Sequence, residues 1–267
     1  MDDAAFRSLV LKFWRARGRH ELPWRKTTDP YAILVSEVML QQTQVSRVQE
    51  RWGAFLKAFP SVRHLARAPL VSVLRLWQGM GYNRRALNLQ RMAQVVVTHH
   101  GGVIPRTYAE LVTLPGVGSY TAGAVMAFAF GTAHPVIETN IRRVYLHHYF
   151  SDIAGVTDQQ ILPVVERTLD RRNPRRWYWA LMDYGAHLKT LVANPNRRSK
   201  HYSRQTVFAG SHRQLRAKVV RTLLLARGGM SLSKLRGLHD DLRLDDVVSE
   251  LVREGFARRT AKKLYVA

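Results

Sequence analysis

Not one cysteine occurs among the 267 residues. Disulfides, thiolate nucleophiles and cysteine-ligated zinc or iron–sulfur centres are therefore excluded, and any metal held by the protein would need histidine and carboxylate ligands. Acidic residues are scarce: 19 Asp and Glu stand against 42 Lys and Arg, a formal charge of +23. Such an imbalance creates a positive field that suits a polyanionic partner. Long apolar runs are missing, so no stretch approaches the roughly 20 residues that span a bilayer. The opening residues Met1-Asp2-Asp3 are acidic where a secretory signal would be basic. A soluble, cytoplasmic protein without membrane contact is expected. Strand-like alternation is absent until Val266.

Hydrophobic residues make up 46% of the chain, enough for one large core or two modest ones, and two domains are expected. Basic and apolar residues are interleaved throughout, as in a folded nucleic-acid binder rather than a charged tail. Apolar residues recur at helical spacing in Ala4–Trp14, Tyr31–Phe59, Leu70–Leu76 and Ala86–Val97. Breakers at Leu22-Pro23-Trp24, Thr28-Asp29-Pro30, Phe59-Pro60-Ser61 and Gly101-Gly102 separate them, giving an all-α body. The sequence divides into a body at 1–190, a basic loop or linker at 191–210, and a small domain at 211–267. Helical segments Gln214–Ala226, Ser231–His239 and Leu244–Glu254, followed by two short apolar strands, predict a winged helix. Asp245, Asp246 and Glu250 on its third helix equip it poorly to face phosphates, so packing and DNA contact both stay open for this domain.

The most distinctive local motif is Leu114-Pro115-Gly116-Val117-Gly118-Ser119-Tyr120-Thr121 before an apolar helix. Gly116 and Gly118 allow close backbone approach, and with Ser119 they place a helix N-terminus where it can hold a phosphate. The preceding residues Tyr108–Thr113 read as helix, whereas a dinucleotide fingerprint would need a strand there. Glu37 has Ile33, Leu34 and Leu40 among its neighbours at three and four residues, so its carboxylate cannot simply face water. Burial would raise its pKa and suit it to general acid work. A structural carboxylate satisfied by a core hydrogen bond is the plainer alternative. Glu138 precedes a helix that Thr139 or Asn140 can cap, and the positive helix end should keep it ionised. Two carboxylates of opposite bias are what glycosidic cleavage uses. Trp24, Tyr31 and Tyr82 lie near turns, where they can stack on a displaced base, wedge into a duplex or pack in the core. His99-His100 and His147-His148 are adjacent pairs that point to different helix faces, so no metal site is expected.

Over Leu22–Gly185 the chain resembles the MutY-type adenine DNA glycosylases of the endonuclease III, helix-hairpin-helix superfamily. The resemblance rests on Leu22-Pro23-Trp24-Arg25, Ser36–Val45, Gly79-Met80-Gly81-Tyr82 and Leu114–Gly118. It implies a two-lobed helix-hairpin-helix fold and base excision from duplex DNA containing a damaged or mismatched base. It also implies that Glu37 is the acid protonating N7 of the purine, with Tyr120 and Asn140 assisting. Gln42 and Tyr82 correspond to duplex-inserting residues, and Arg25, beside Trp24, to a base-pocket residue.

Three departures qualify it. Glu138 stands where the family has aspartate, which lengthens the arm by one methylene. Tyr120 stands where strand-cleaving relatives have a Schiff-base lysine, which implies a monofunctional hydrolase. The basic loop Asn194–Arg204 replaces the four cysteines of the cluster, so no cofactor is expected, and Arg197, Arg198 and Lys200 are assigned its phosphate contacts. The small C-terminal domain replaces the family's Nudix-like domain. Adenine opposite 8-oxoguanine or guanine is the expected target of a monomeric, nucleoid-associated enzyme. Removal of uracil, thymine or another altered base, and a silent lesion- or structure-binding protein, remain open.

Overall fold

The computed structural model describes residues 2–205, 207–226 and 228–267. Met1, Thr206 and Arg227 lie outside the described residues, the second of them within the expected linker. The first half of the chain forms α1 (Asp3–Arg17), α2 (Pro30–Leu40), α3 (Val45–Ala58), α4 (Val62–Arg67), α5 (Leu70–Leu76) and α6 (Arg84–His99). The second half forms α7 (Tyr108–Leu111), α8 (Ser119–Phe128), α9 (Thr139–His148), α10 (Asp158–Thr168) and α11 (Pro174–Leu191). The chain then closes with α12 (His212–Leu225), α13 (Leu232–Leu238), α14 (Leu244–Glu254), β1 (Ala257–Arg259) and β2 (Leu264–Val266). The expected all-α architecture is what is found. No helix among the described residues is long and apolar enough to cross a membrane.

Two compact units make up the chain, Met1–Glu37 with Ile104–Arg204 and Val38–Val103 with Gln205–Ala267. They cut across the linear domains read from the sequence, because α12 packs against α5 and Arg84 of α6 pairs with Glu254 of α14. In the first unit α8 is buried at every position from Thr121 to Phe128, so it has no solvent face and forms the centre of the core. Helix α11 packs against it, and α1 and α9 pack in turn against α11, with Phe6, Tyr145 and Trp177 among the fully buried side chains. Contact between α9 and α11 is close enough that a Cβ on Gly185 would lie 2.2 Å from the Asn140 carbonyl oxygen, so only glycine fits there.

The second unit combines α3–α6 with the three C-terminal helices and the hairpin. Helices at the expected places α12, α13 and α14 precede the antiparallel pair β1–β2, in which Arg258 faces Tyr265. A further bridge joins Met230 to Leu264. Gly255, at φ 85°, provides the left-handed cap between α14 and β1.

One expected helical stretch is interrupted. The apolar period over Tyr31–Phe59 runs through two helices, because α2 ends at Leu40 and α3 begins at Val45. Gln42 between them has φ 57°, which no helix accommodates. The basic loop is also more ordered than a linker: Pro195–Arg198 is a 3-10 turn capped by Asn194. Asn196 Nδ2 donates to the Thr139 carbonyl at 3.0 Å, the Val156 N–H donates to the Arg198 carbonyl at 2.9 Å, and the Lys200 N–H donates to the Val156 carbonyl at 2.9 Å.

Candidate active site

Helix α2 is buried at every residue from Tyr31 to Met39, and Glu37 is therefore carried into the core by its own helix. Among the described residues the Glu37 side chain has one hydrogen-bond donor, the Tyr120 hydroxyl, which donates to Oε2 at 2.8 Å. Burial pushes the Glu37 carboxyl up to about 7, against the Tyr120 hydrogen bond and with help from the nearby charge of Glu138. A carboxylic acid balanced near neutrality can give a proton and later take one. Tyr120 itself is raised well above its ordinary value, by burial first and then by Glu37 and Glu138, so it remains a neutral donor.

Glu138 does what the sequence reading assigned to Thr139 or Asn140. It is the N-cap of α9, with Oε1 accepting from the backbone N–H of Asn140 at 2.7 Å and of Ile141 at 2.8 Å. A glutamate thus fills the N-cap place that shorter Asp, Asn or Ser side chains usually take. Asn140 Nδ2 donates to Oε2 at 3.3 Å, and Arg143 in turn donates to Asn140 Oδ1 at 2.7 Å. The expected opposite biases of the two carboxylates are not found. Burial raises Glu138 too, while the two N–H groups and then Arg143 and Arg142 favour its charged form. The two groups differ in company: Glu138 sits on a helix N-terminus with anion-stabilising donors, whereas Glu37 has a single hydroxyl.

Arg25, assigned to a base pocket, is buried and bound bidentately to Asp183 at 2.7 and 2.9 Å. Its guanidinium also lies over the Trp179 ring, 5.2 Å from the centroid, with Arg175 at 4.6 Å from the same ring. Arg19 adds two more donors to Asp183, Nε at 2.6 Å and its backbone N–H at 2.8 Å. Although burial raises it, these guanidiniums hold the Asp183 carboxyl below its ordinary value. Arg25 thus acts on Glu37 through its charge, which favours the carboxylate. Asp183 was missed in the sequence, yet the signal that exposed Glu37 applies to it: a carboxylate in the middle of the apolar helix segment Trp177–Ala186.

Of the three aromatics singled out, Trp24 and Tyr31 are buried and belong to the core, while Tyr82 is exposed. Gly116, with φ 77°, and Gly118 and Ser119 are exposed at the start of α8, which has no side-chain cap. In the second unit Gln42 and Tyr82 come together. They are the only non-glycine residues with positive φ among the described residues, at 57° and 47°. Each such backbone costs on the order of 1 kcal/mol or more and persists where function or packing demands it. Gln205 Nε2 donates to Gln42 Oε1 at 2.7 Å and to the Tyr82 hydroxyl at 2.6 Å.

The basic loop splits in its roles. Arg197 and Lys200 are exposed, but Arg198 donates to the carbonyls of Ser151 at 2.6 Å and Leu146 at 2.8 Å. The assignment of Arg198 to phosphate contact is therefore corrected: it caps the C-terminal end of α9, where a cation is favoured. The loop carries no cysteine and so cannot ligate a cluster.

Glu37, Tyr120, Glu138 and Asn140 all fall within residues 35–166, which match the HhH-GPD superfamily of base excision DNA repair proteins. Over nearly its whole length the chain aligns with the adenine DNA glycosylase of Mycolicibacterium smegmatis, 34% identical over 268 residues that cover 93% of this chain and 91% of that protein. The chain belongs to the adenine DNA glycosylases of the HhH-GPD superfamily. It is also 36% identical over 196 residues to the adenine DNA glycosylase of Buchnera aphidicola subsp. Baizongia pistaciae, where the match covers 73% of this chain and 56% of that protein. Among solved structures, a thermostable thymine-DNA glycosylase superposes with a TM-score of 0.63 at 29% identity, covering 69% of this chain and 86% of that one. The matched family segment contains both carboxylates of the site, Glu37 and Glu138.

Proposed function

We propose that this family member hydrolyses the N-glycosidic bond of adenine mispaired with 8-oxoguanine or guanine in duplex DNA, acting as a cytoplasmic monomer without a metal or cofactor. The observation that carries this reading is the buried Glu37, held at about 7 and hydrogen-bonded by the neutral Tyr120 hydroxyl. In its acid form Glu37 protonates N7 of the extruded purine, the C1′–N9 bond breaks, and the bonding electrons leave with the base. Glu138, as carboxylate, stabilises the positive charge that develops on the sugar. Glu37, now ionised, takes a proton from the attacking water and is restored. No amine stands at position 120, so the abasic strand stays intact. The exposed, uncapped N-terminus of α8 at Gly118 and Ser119 offers N–H groups to a DNA phosphate. Gln42 and Tyr82 enter the duplex in place of the extruded base.

Duplexes carrying A opposite 8-oxoguanine, A opposite G, and U or T opposite G test the proposal. Strand breaks are expected only after alkali and only with the adenine duplexes. Absence of alkali-labile sites with every duplex would overturn it. Breaks at U or T would establish the second reading, excision of a different base, which the longer Glu138 arm favours.

The corrected basic loop gives a separate expectation. Replacing Arg197 and Lys200 by Ala should reduce the slope of log affinity against log salt by about 1 to 2, as expected for up to two lost phosphate contacts. Arg198→Ala should leave that slope unchanged and lower the melting temperature, because it uncaps α9. An unchanged slope in the first variant would make the whole loop structural.

A further inference from the structure

We propose that Arg85 is the positioning residue that sets Gln42 and Tyr82 as a pair, an inference that rests on the reading of those two residues as duplex-inserting. They stand on separate loops, one between α2 and α3 and the other just before α6. Arg85, buried near the start of α6, ties both loops to one guanidinium. Nη1 donates to the carbonyls of Val38 at 2.8 Å and Met39 at 2.9 Å, and to that of Gln41. Nη2 donates to Thr43 Oγ1 at 2.9 Å, Met80 O at 2.9 Å and Gly81 O at 3.1 Å. The residues on either side of Gln42 and immediately before Tyr82 are therefore held by the two arms of a rigid planar fork. The guanidinium carbon lies 5.6 Å from the Tyr82 ring centroid and 5.3 Å from that of Trp77.

Two observations make this more than a buried anchor. First, the partners of Arg85 are backbone carbonyls and a hydroxyl, and two of those carbonyls, of Gln41 and Gly81, immediately precede the only two left-handed non-glycine residues among the described residues. Second, the side chains it sets converge, since one amide, that of Gln205, reaches both. A lysine cannot replace it, because one ammonium has three donors radiating from a point rather than two aligned pairs.

The test compares the intact protein with Arg85→Lys by amide hydrogen exchange and by single-turnover excision. Exchange is expected to accelerate at 41–43 and 79–82 together, with α11 unaltered. Excision should slow on the order of 100-fold, as for an ångström-scale misplacement. Its decline with rising pH near 7 should stay in place, since Glu37 is untouched. In a Gln42→Ala, Tyr82→Ala background the same Arg85→Lys change should cost less than about 3-fold, because contacts that act through the pair are not additive. Undiminished loss in that background, or unaltered exchange in either loop, would overturn the proposal. If Gln42→Ala, Tyr82→Ala leaves excision intact, the insertion reading fails while the exchange data still decide whether Arg85 orders the loops. Should Arg85→Lys not fold, Thr43→Val removes one partner of the fork and is read in the same two assays.

Discussion

Replacing Glu37 by Gln is expected to abolish excision and to make the protein more stable at alkaline pH. Gln keeps the shape and can accept the Tyr120 hydrogen bond, but it has no proton to deliver, and loss of a general acid costs on the order of 100- to 10,000-fold in rate. The stability effect follows from proton linkage. The folded-state value of Glu37 is about 7, raised from an ordinary 4.5. A raised carboxyl contributes stability that is complete below its ordinary value and lost as pH rises through its folded value. At about 1.4 kcal/mol for each tenfold change in proton affinity, ionising Glu37 in place costs on the order of 3 kcal/mol by pH 8 to 9. Denaturant unfolding at pH 5 and pH 9 should show that the variant gains on the natural protein only at the higher pH. Excision should likewise decline above about 7 in the natural protein, and Glu138, also raised, sets the acid limb above the ordinary glutamate range. Retained turnover in Glu37→Gln would remove Glu37 from its role, and an equal gain at both pH values would remove the buried ionisation from the account.

Asp183→Ala should be the most destabilising single truncation near the site. Asp183 and the Arg25 side chain are almost wholly sequestered, 2% and 5% exposed. Removing the carboxylate leaves the Arg25 charge buried without its partner, at a cost of roughly 3 to 5 kcal/mol. A fall of on the order of 10 °C in melting temperature is expected for a unit of this size. The chemistry should move as well. Arg25 favours the charged form of Glu37, and without Asp183 to neutralise it that influence grows, so the decline of excision shifts to lower pH. Asp183→Asn, which keeps an acceptor for the guanidinium, should show the shift with a smaller loss of stability. A melting temperature within a degree or two of the natural protein would show that Arg25 finds other partners.

The helices and the centre of the site were legible because their signals are local. Glu37 stands out in the sequence, since a carboxylate with Ile33, Leu34 and Leu40 on its face has nowhere to go but inward. The glycines of Leu114–Ser119 announce an open helix start, and the absence of cysteine removes the cluster without any coordinates. The partnerships were not legible. Whether a basic residue meets DNA or its own chain depends on what the fold brings to it, and so Arg198 turned out to cap α9 while Arg197 beside it stays exposed. Arg25 and Asp183 are 158 residues apart, and no periodicity links them. The break at Gln42 escaped the apolar pattern because Val38 and Val45 on either side of it are seven residues apart, the spacing of two helical turns.

By itself, then, the sequence determined the helical class, the strongly basic surface and the carboxylate at 37, because each follows from composition or from spacing along one helix. Only the tertiary structure decided how Glu37 is tuned. Its value near 7 comes from desolvation by helices remote in the chain, a hydroxyl 83 residues away and a neighbouring Glu138 that caps its own helix. Electrostatic environment is set by proximity in space and by exclusion of water, and neither is a property of position along a chain.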